Sequence, residues 1–296
     1  MADETGLAEV TGQTAFVFAG GGSLGAVQVG MLHELLLAGV QPGFVVGSSV
    51  GAINAAYFAA SPDLECVERL EGLWMGLSRR DVFPFTLGSA LRMLSGGENL
   101  IDPSHLRGLL EAHLAISRLE QARIGLHVMA TDQQGLGVRL SSGPAVEAVL
   151  ASAAIPGIFP PVRIDGEDLM DGAIAANTPL RLAVELGASR IVVLPTGYAC
   201  ALERAPRNAI AKVLHAVTLL IAWQLMHELD TVPENVQVHL APALCPLAVS
   251  PYDFSASRQL IERARHDTRK WIESGGLERR ARSRELAAHH HRHHHA

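Results

Sequence analysis

The feature that most constrains this chain is a unit repeated near its start: an apolar strand-like run, a glycine turn and an apolar helix-like stretch, twice within about sixty residues. Residues 14–19 (TAFVFA) are β-branched and aromatic and stop at three glycines, as a buried strand would. Residues 26–38 follow as an apolar helix. Pro42 and Gly43 break the chain, residues 44–47 read as a second strand and residues 50–60 as a second helix. Parallel neighbours need a crossover, and the crossover helix covers a sheet face, so this order begins a parallel, helix-covered sheet.

Further strands are expected at 124–130, 138–141, 190–195 and 236–241, and helices at 144–154, 207–229 and 256–274. With 296 residues, 48% apolar and 18% charged, the chain can bury a large core without being divided. The expectation is one domain over residues 14–275, a three-layer α/β/α arrangement around a mainly parallel sheet. Residues 276–296 are expected to form a basic, His-rich, disordered tail, and the terminal HHHRHHHA is left out of any mechanism. Residues 209–226 are the longest apolar stretch, but Lys212 and His215 interrupt them and they fall short of the ~20 residues a bilayer span needs. They read as a buried helix.

The opening MADETGLAEV lacks the basic start and apolar core of a secretory signal. Cys66, Cys200 and Cys245 are odd in number, widely spaced and without a metal-ligand pattern, which fits reduced thiols in a cytoplasmic protein. No metal or organic cofactor is expected. Formal charge is −6, yet residues 258–284 carry nine Arg or Lys against four Asp or Glu. That local excess suggests peripheral contact with anionic lipid surfaces, and no nucleic-acid partner is expected. The oligomeric state stays open.

Gly47-Ser48-Ser49-Val50-Gly51 matches the G-x-S-x-G elbow, in which small flanking residues permit a strained turn that lifts a serine to the sheet edge. A strand precedes it and a helix follows. Ser49 is the candidate nucleophile, with the backbone N–H of Val50 and the helix N-terminus facing a developing oxyanion. Ser48, at the x position, is the lesser candidate.

Gly20-Gly21-Gly22-Ser23-Leu24-Gly25 also fits the G-x-G-x-x-G turn of a dinucleotide site. A dinucleotide unit would usually end its second strand in an acid that holds the ribose, whereas this one ends in GSSVG. The run reads better as backbone N–H donors of Gly20, Gly21, Gly22, Ser23 and Gly25 facing Ser49. Asp171-Gly172-Ala173 lies in a turn after residues 164–170, and an Asp-Gly taken alone is most often a hairpin turn. A carboxylate in a partly apolar cleft is nonetheless made basic enough to serve a serine. His215, His227, His239 and His266 all follow Asp171, as an α/β-hydrolase triad would require, but that fold needs several strands before its elbow and only one is available here.

GGGSLG, GSSVG, ASAAIPGIFPPV and LMDGAIAANTP, in that order and approximate spacing, resemble the patatin-like phospholipases of the bacterial type, as do NLIDPSHLRGLLEAHL and VMATDQQGLG between them. The resemblance covers residues 14–195. It implies a Ser49/Asp171 dyad without histidine, the glycine run as oxyanion hole, and hydrolysis of fatty acyl esters of phospholipids or lysophospholipids through an acyl-enzyme. One position departs: the family commonly has Arg or Lys where this chain has Leu24. A small-ester or thioester hydrolase, an acyltransferase and a non-catalytic acyl-lipid binding protein are the rival readings. Residues 82–87, with Leu91, Met93 and Leu94, are expected to wall or cover the acyl pocket, because they are too apolar for a solvated loop.

Overall fold

The computed structural model describes residues 13–83, 101–197, 209–245 and 249–283. The strands are β1 (Gln13–Phe18), β2 (Phe44–Ser48), β3 (Gly125–Thr131), β4 (Gly137–Leu140), β5 (Val162–Ile164), β6 (Glu167–Asp171), β7 (Ala188–Leu194) and β8 (Gln237–Leu240). The helices are α1 (Ala26–Leu37), α2 (Val50–Ala60), α3 (Leu64–Gly76), α4 (Arg79–Val82), α5 (Ser104–His113), α6 (Ala145–Ser152), α7 (Ala173–Ala176), α8 (Leu180–Glu185), α9 (Ala209–Thr231) and α10 (Ser257–Glu273). β3, β2, β1, β7 and β8 lie side by side and parallel, while β4 and β6 join β3 antiparallel and β5 pairs with β6.

Strand alternation divides the core in two. Phe16, Phe18, Val45 and Val128 face the side covered by Leu32 of α1, Ala55 of α2, Val149 of α6 and Ile261 of α10. Their neighbours Ala15, Val17, Phe44, Val46 and Met129 face the side covered by Leu180 of α8 and Leu225 and Leu229 of α9. A period of two that buries both faces is what a parallel sheet between helix layers requires. The three-layer α/β/α arrangement is therefore present as expected.

Three expectations are corrected. The domain does not stop at residue 275: Ala281 donates its N–H to the Val238 carbonyl, His239 contacts the Arg279 carbonyl at 3.0 Å, and Arg280 binds carbonyls of residues 232–234. The Ala281 bond pairs one main-chain carbonyl on the outer edge of β8. The apolar helix α9 is buried only in part among its described side chains, with Leu225 and Leu229 in the core. Val217, Leu219, Leu220 and Trp223 are exposed. Finally, the basic segment is partly structural. Arg269 forms a two-pronged pair with Glu34 of α1, which is 4% exposed, and Arg265 pairs with Glu71 of α3. These bonds clamp α10 to the core and take two cations away from any lipid-facing role.

One feature of the pairing builds the site. β4 runs along one edge of β3, opposite Val128 to Thr131. On the other edge β2 pairs only as far as Ser48, opposite Met129. β6 then pairs with the next two residues, placing Asp171 opposite Ala130. Because β4 already holds one edge, β6 must enter the slot that β2 vacates. β2 runs parallel to β3 and β6 antiparallel, so their C-terminal ends meet head-on, Ser49 following one and Asp171 closing the other.

Candidate active site

Ser49 sits between β2 and α2 with φ 54° and ψ −127°. Among the described residues, only Ser49 and Asp165 combine a side chain with a positive φ. That conformation is unfavourable for a residue with a Cβ and needs surrounding contacts to hold it. The Ser49 N–H donates to Ser152 Oγ at 2.9 Å, and Ser152 Oγ donates to the Met129 carbonyl at 2.6 Å. Gly47 and Gly51 let α2 lie directly on the strands: a Cβ on Gly47 would strike the backbone of Gly51 and Ala52, and one on Gly51 the carbonyl of Phe18.

Ser49 Oγ donates to Asp171 Oδ2 at 2.8 Å. The other carboxylate oxygen accepts the Ala173 N–H at 2.8 Å. The backbone of Asp171 is fixed as well, its N–H donating to the Ala154 carbonyl and its carbonyl accepting from Thr131 Oγ1. Asp171 is 4% exposed, and burial pushes its carboxyl up from 3.8 to about 6. The bonds from Ala173 and Ser49 favour the ionised form and limit the rise. No imidazole intervenes between Ser49 and Asp171. His239 is engaged with the Arg279 carbonyl at β8, and the side chain of His215 lies outside the described residues.

The glycine run abuts the serine: a Cβ on Gly20 would lie 3.2 Å from the Cβ of Ser49. The run does not offer every amide expected of it. Gly20 donates to the Asn177 carbonyl and Ser23 to the Pro251 carbonyl. Gly25 closes the 3₁₀ turn 22–25, its carbonyl accepting from Asn54, and packs against Val50 and Trp74. The amides of Gly21, Gly22 and Val50 have no partner among the described residues. Gly22 has φ +59°, and a Cβ there would meet the Pro251 carbonyl, while one on Gly21 would run into Thr196. Thr196 in turn donates to the Gly20 carbonyl.

Ser49, Val50 and Gly22 line a cavity whose remaining wall is almost entirely apolar, including Leu70, Trp74, Phe83, Leu110 and Phe159. Phe83 stacks on Phe159 and meets Tyr252 edge-on, fixing that side of the wall. Val82 and Phe83 thus belong to the cavity. The rest of the apolar stretch expected to cover it, at 84–87, 91, 93 and 94, lies outside the described residues. Leu24, the position at which this chain departs from the resembled pattern, is buried in the core beside α1. Among the described residues, no three His, Cys, Asp or Glu side chains converge as a metal site would, and no helix is long and apolar enough to cross a membrane.

Sequence reasoning missed Ser152, Thr131, Thr196 and Gln224. The last holds the turn after Asp171, accepting the Asn177 N–H and donating to the Ala175 carbonyl. Ser152 stood inside a recognised motif, but its role needed knowledge of which strand end lay opposite. Asp132 caps the turn after β3, accepting the N–H groups of Gln134 and Leu136.

Residues 16–184 match the family model described as patatin-like phospholipase. A putative patatin-like phospholipase domain-containing protein of Caenorhabditis elegans is 28% identical over 185 residues, covering 61% of this chain and 16% of that protein. An uncharacterised NTE family protein of Mycobacterium bovis is 27% identical over 198 residues, covering 60% of this chain and 50% of that one. The chain thus spans half or less of the length of these relatives. The solved structure of human GIVD cytosolic phospholipase A2 aligns over 94% of this chain and 60% of its own, with 12% identity and a TM-score of 0.48.

Proposed function

Given that the chain belongs to the patatin-like phospholipase family, we propose that it hydrolyses fatty acyl esters of phospholipids or lysophospholipids through a Ser49/Asp171 dyad. The observation that carries the reading is the 2.8 Å bond from Ser49 Oγ to a buried carboxylate, at a point where Ser49 also lines an apolar cavity. A family name supplies the lipid; this geometry supplies the acyl transfer.

The acyl chain occupies the cavity and its ester carbonyl lies over Ser49. As Oγ attacks the carbonyl carbon, its proton passes to Asp171 Oδ2, a step helped by a carboxyl that titrates near 6 and not near 3.8. Negative charge moves to the carbonyl oxygen, which the N–H groups of Gly21, Gly22 and Val50 receive; one such donor is worth ~10²–10³ in turnover. When the tetrahedral species collapses, Asp171 returns the proton to the leaving alkoxide. Water then takes the alcohol's place: Asp171 accepts its proton, the hydroxide attacks the acyl-enzyme, and Ser49 leaves with a proton returned by Asp171. Gly47, Gly51, Gly172 and Ala173 act on geometry alone, the first three by close packing and Ala173 by its bond to the carboxylate. With Leu24 in the core, headgroup recognition falls to other residues.

Incubation with a mixed lipid extract, followed by mass spectrometry of the products, tests the reading. Free fatty acid and lyso- or deacylated lipid should appear with the native chain and not with Ser49→Ala, and a fluorophosphonate should label the native protein at Ser49. An unlabelled Ser49 in the folded protein would reject it.

A further inference from the structure

Two polar side chains are wholly buried in the apolar helices behind the glycine run, and neither takes part in the mechanism above. Gln28 of α1 and Asn54 of α2 are both 0% exposed. Gln28 Nε2 donates to the Ala19 carbonyl at 2.8 Å and to the Leu194 carbonyl at 2.9 Å. Asn54 Nδ2 donates to Gln28 Oε1 at 2.8 Å and to the Gly25 carbonyl at 3.0 Å. Asn54 Oδ1 accepts from Trp74 Nε1 at 3.0 Å. Every N–H of the two amides is engaged, so their orientation is fixed by the bonds themselves.

These five bonds bracket the glycine run. Ala19 precedes it and Gly25 ends it, and both carbonyls are held by one network. A fully satisfied buried network rigidifies what it touches, whereas a partly satisfied one is costly. Its far end reaches the acyl cavity, because Trp74 lines that cavity while stacking on Phe254, ring centroids 6.0 Å apart. A chain lying against the indole therefore bears on the side chain that holds Asn54, and through Asn54 on the carbonyl of Gly25.

We propose that Gln28, Asn54 and Trp74 form a relay that positions the oxyanion amides of Gly21 and Gly22 according to what fills the acyl cavity, so that turnover depends on acyl-chain length through a group remote from the reacting atoms. None of the three touches the ester; they are positioning residues. The proposal rests on the acyl-hydrolase reading of the same site. Activity of the native protein tests that reading, and the variants below test only the relay.

Two comparisons decide it. In the first, Asn54→Leu is assayed on a soluble oxoester and on the matching thionoester, whose sulfur draws little from amide donors. The oxoester should lose ~10²-fold in kcat, as when a donor is misplaced, while the thionoester loses only a few-fold and KM for both stays within about threefold. Equal losses on both esters would mean general damage and would overturn the relay, as would no loss on either. In the second comparison, Trp74→Phe removes the Nε1 donor and the second ring of the indole while keeping a ring against Phe254, and a urea titration checks that the variant is folded. Its kcat should fall about tenfold on long-chain esters and several-fold less on an acetyl ester. The same fall on both would sink the coupling to chain length.

Discussion

Two Asp-Gly dipeptides lie six residues apart in this chain, and the fold uses them in opposite ways. Asp165 and Gly166 form the two-residue loop between β5 and β6, with Ile164 paired to Glu167 and φ of 51° and 90°. Both positive angles mark the hairpin turn for which Asp-Gly is a favoured sequence. A Cβ on Gly166 would meet nothing within 4 Å, so glycine is needed there for its backbone angle alone. Asp171 and Gly172 end the same hairpin at its other side. Gly172 has φ −63°, open to any residue, yet a Cβ on it would strike the Met129 carbonyl and approach Ser48 Oγ. Glycine is needed there for room. The difference lies in where the strand leads: at 165 it turns back on itself, and at 171 it runs into the slot left by β2.

The largest contrast is chemical. Asp171→Asn keeps the shape and removes the proton acceptor, so kcat should fall by at least ~10³–10⁴, and adding Ser49→Ala should make it barely worse because the two groups act as a unit. Asp165→Asn should leave kcat within about twofold. Steady-state assays of the native chain, Ser49→Ala, Asp171→Asn, their double variant and Asp165→Asn check this. Additive losses in the double variant, or full activity in Asp171→Asn, would break the assignment of the two aspartates.

Stability should move the other way at Asp171. A carboxyl that titrates near 6 when folded and near 3.8 when unfolded binds its proton more tightly in the folded state. Its favourable contribution is complete below about pH 3.8 and is lost as pH rises through 6, a loss on the order of 3 kcal/mol relative to acid conditions. Asp171→Asn should thus be more stable than the native chain at pH 8, by up to that amount, with the gain shrinking to nothing near pH 4. Activity of the native enzyme should drop as pH falls below about 6, where Asp171 takes up its proton. Urea titrations at the two pH values and a pH–rate profile test both signs. A destabilised Asp171→Asn at pH 8 would show that the buried charge is better compensated than its bonds to Ser49 and Ala173 imply.

What the sequence makes legible here is local. Residues 50–60 read as a helix and form α2, and the elbow's strand and helix fall where the G-x-S-x-G pattern puts them. The hairpin at 165–166 goes unread, because Ile, Leu and Met at the ends of residues 164–170 make them read as one run. The meeting of β2 and β6 was not legible. It depends on β4 filling one edge of β3, a pairing with no mark in either partner's composition. Gln28 and Asn54 do stand out as lone amides in the apolar stretches AVQVG and AINAA. Their partners, the carbonyls of residues 19, 25 and 194, are main-chain groups that every residue carries, so the pattern alone cannot name them.

The glycines supply the next contrast. Gly172→Ala forces a methyl into the Met129 carbonyl, an overpacking of about 1–3 kcal/mol, and by shifting Asp171 it should also reduce kcat. Gly166→Ala places a side chain at positive φ in open space, at a strain of about 1–2 kcal/mol, with kcat unchanged. Equal activity of the two variants would mean that the close approach at 172 does not govern the dyad.

The smallest effect is the most discriminating for the turn. Asparagine, like aspartate, tolerates a positive φ, and Asn-Gly is also favoured in two-residue hairpins. Asp165 carries no hydrogen bond or ion pair to another side chain among the described residues, so its carboxylate has no partner to lose. Asp165→Asn should change stability by less than about 0.5 kcal/mol. The urea midpoint, set against that of the native chain, measures it. A larger loss would show that the aspartate side chain holds the turn through a contact asparagine cannot make, and that the backbone angles at 165 and 166 are not what selects the residue.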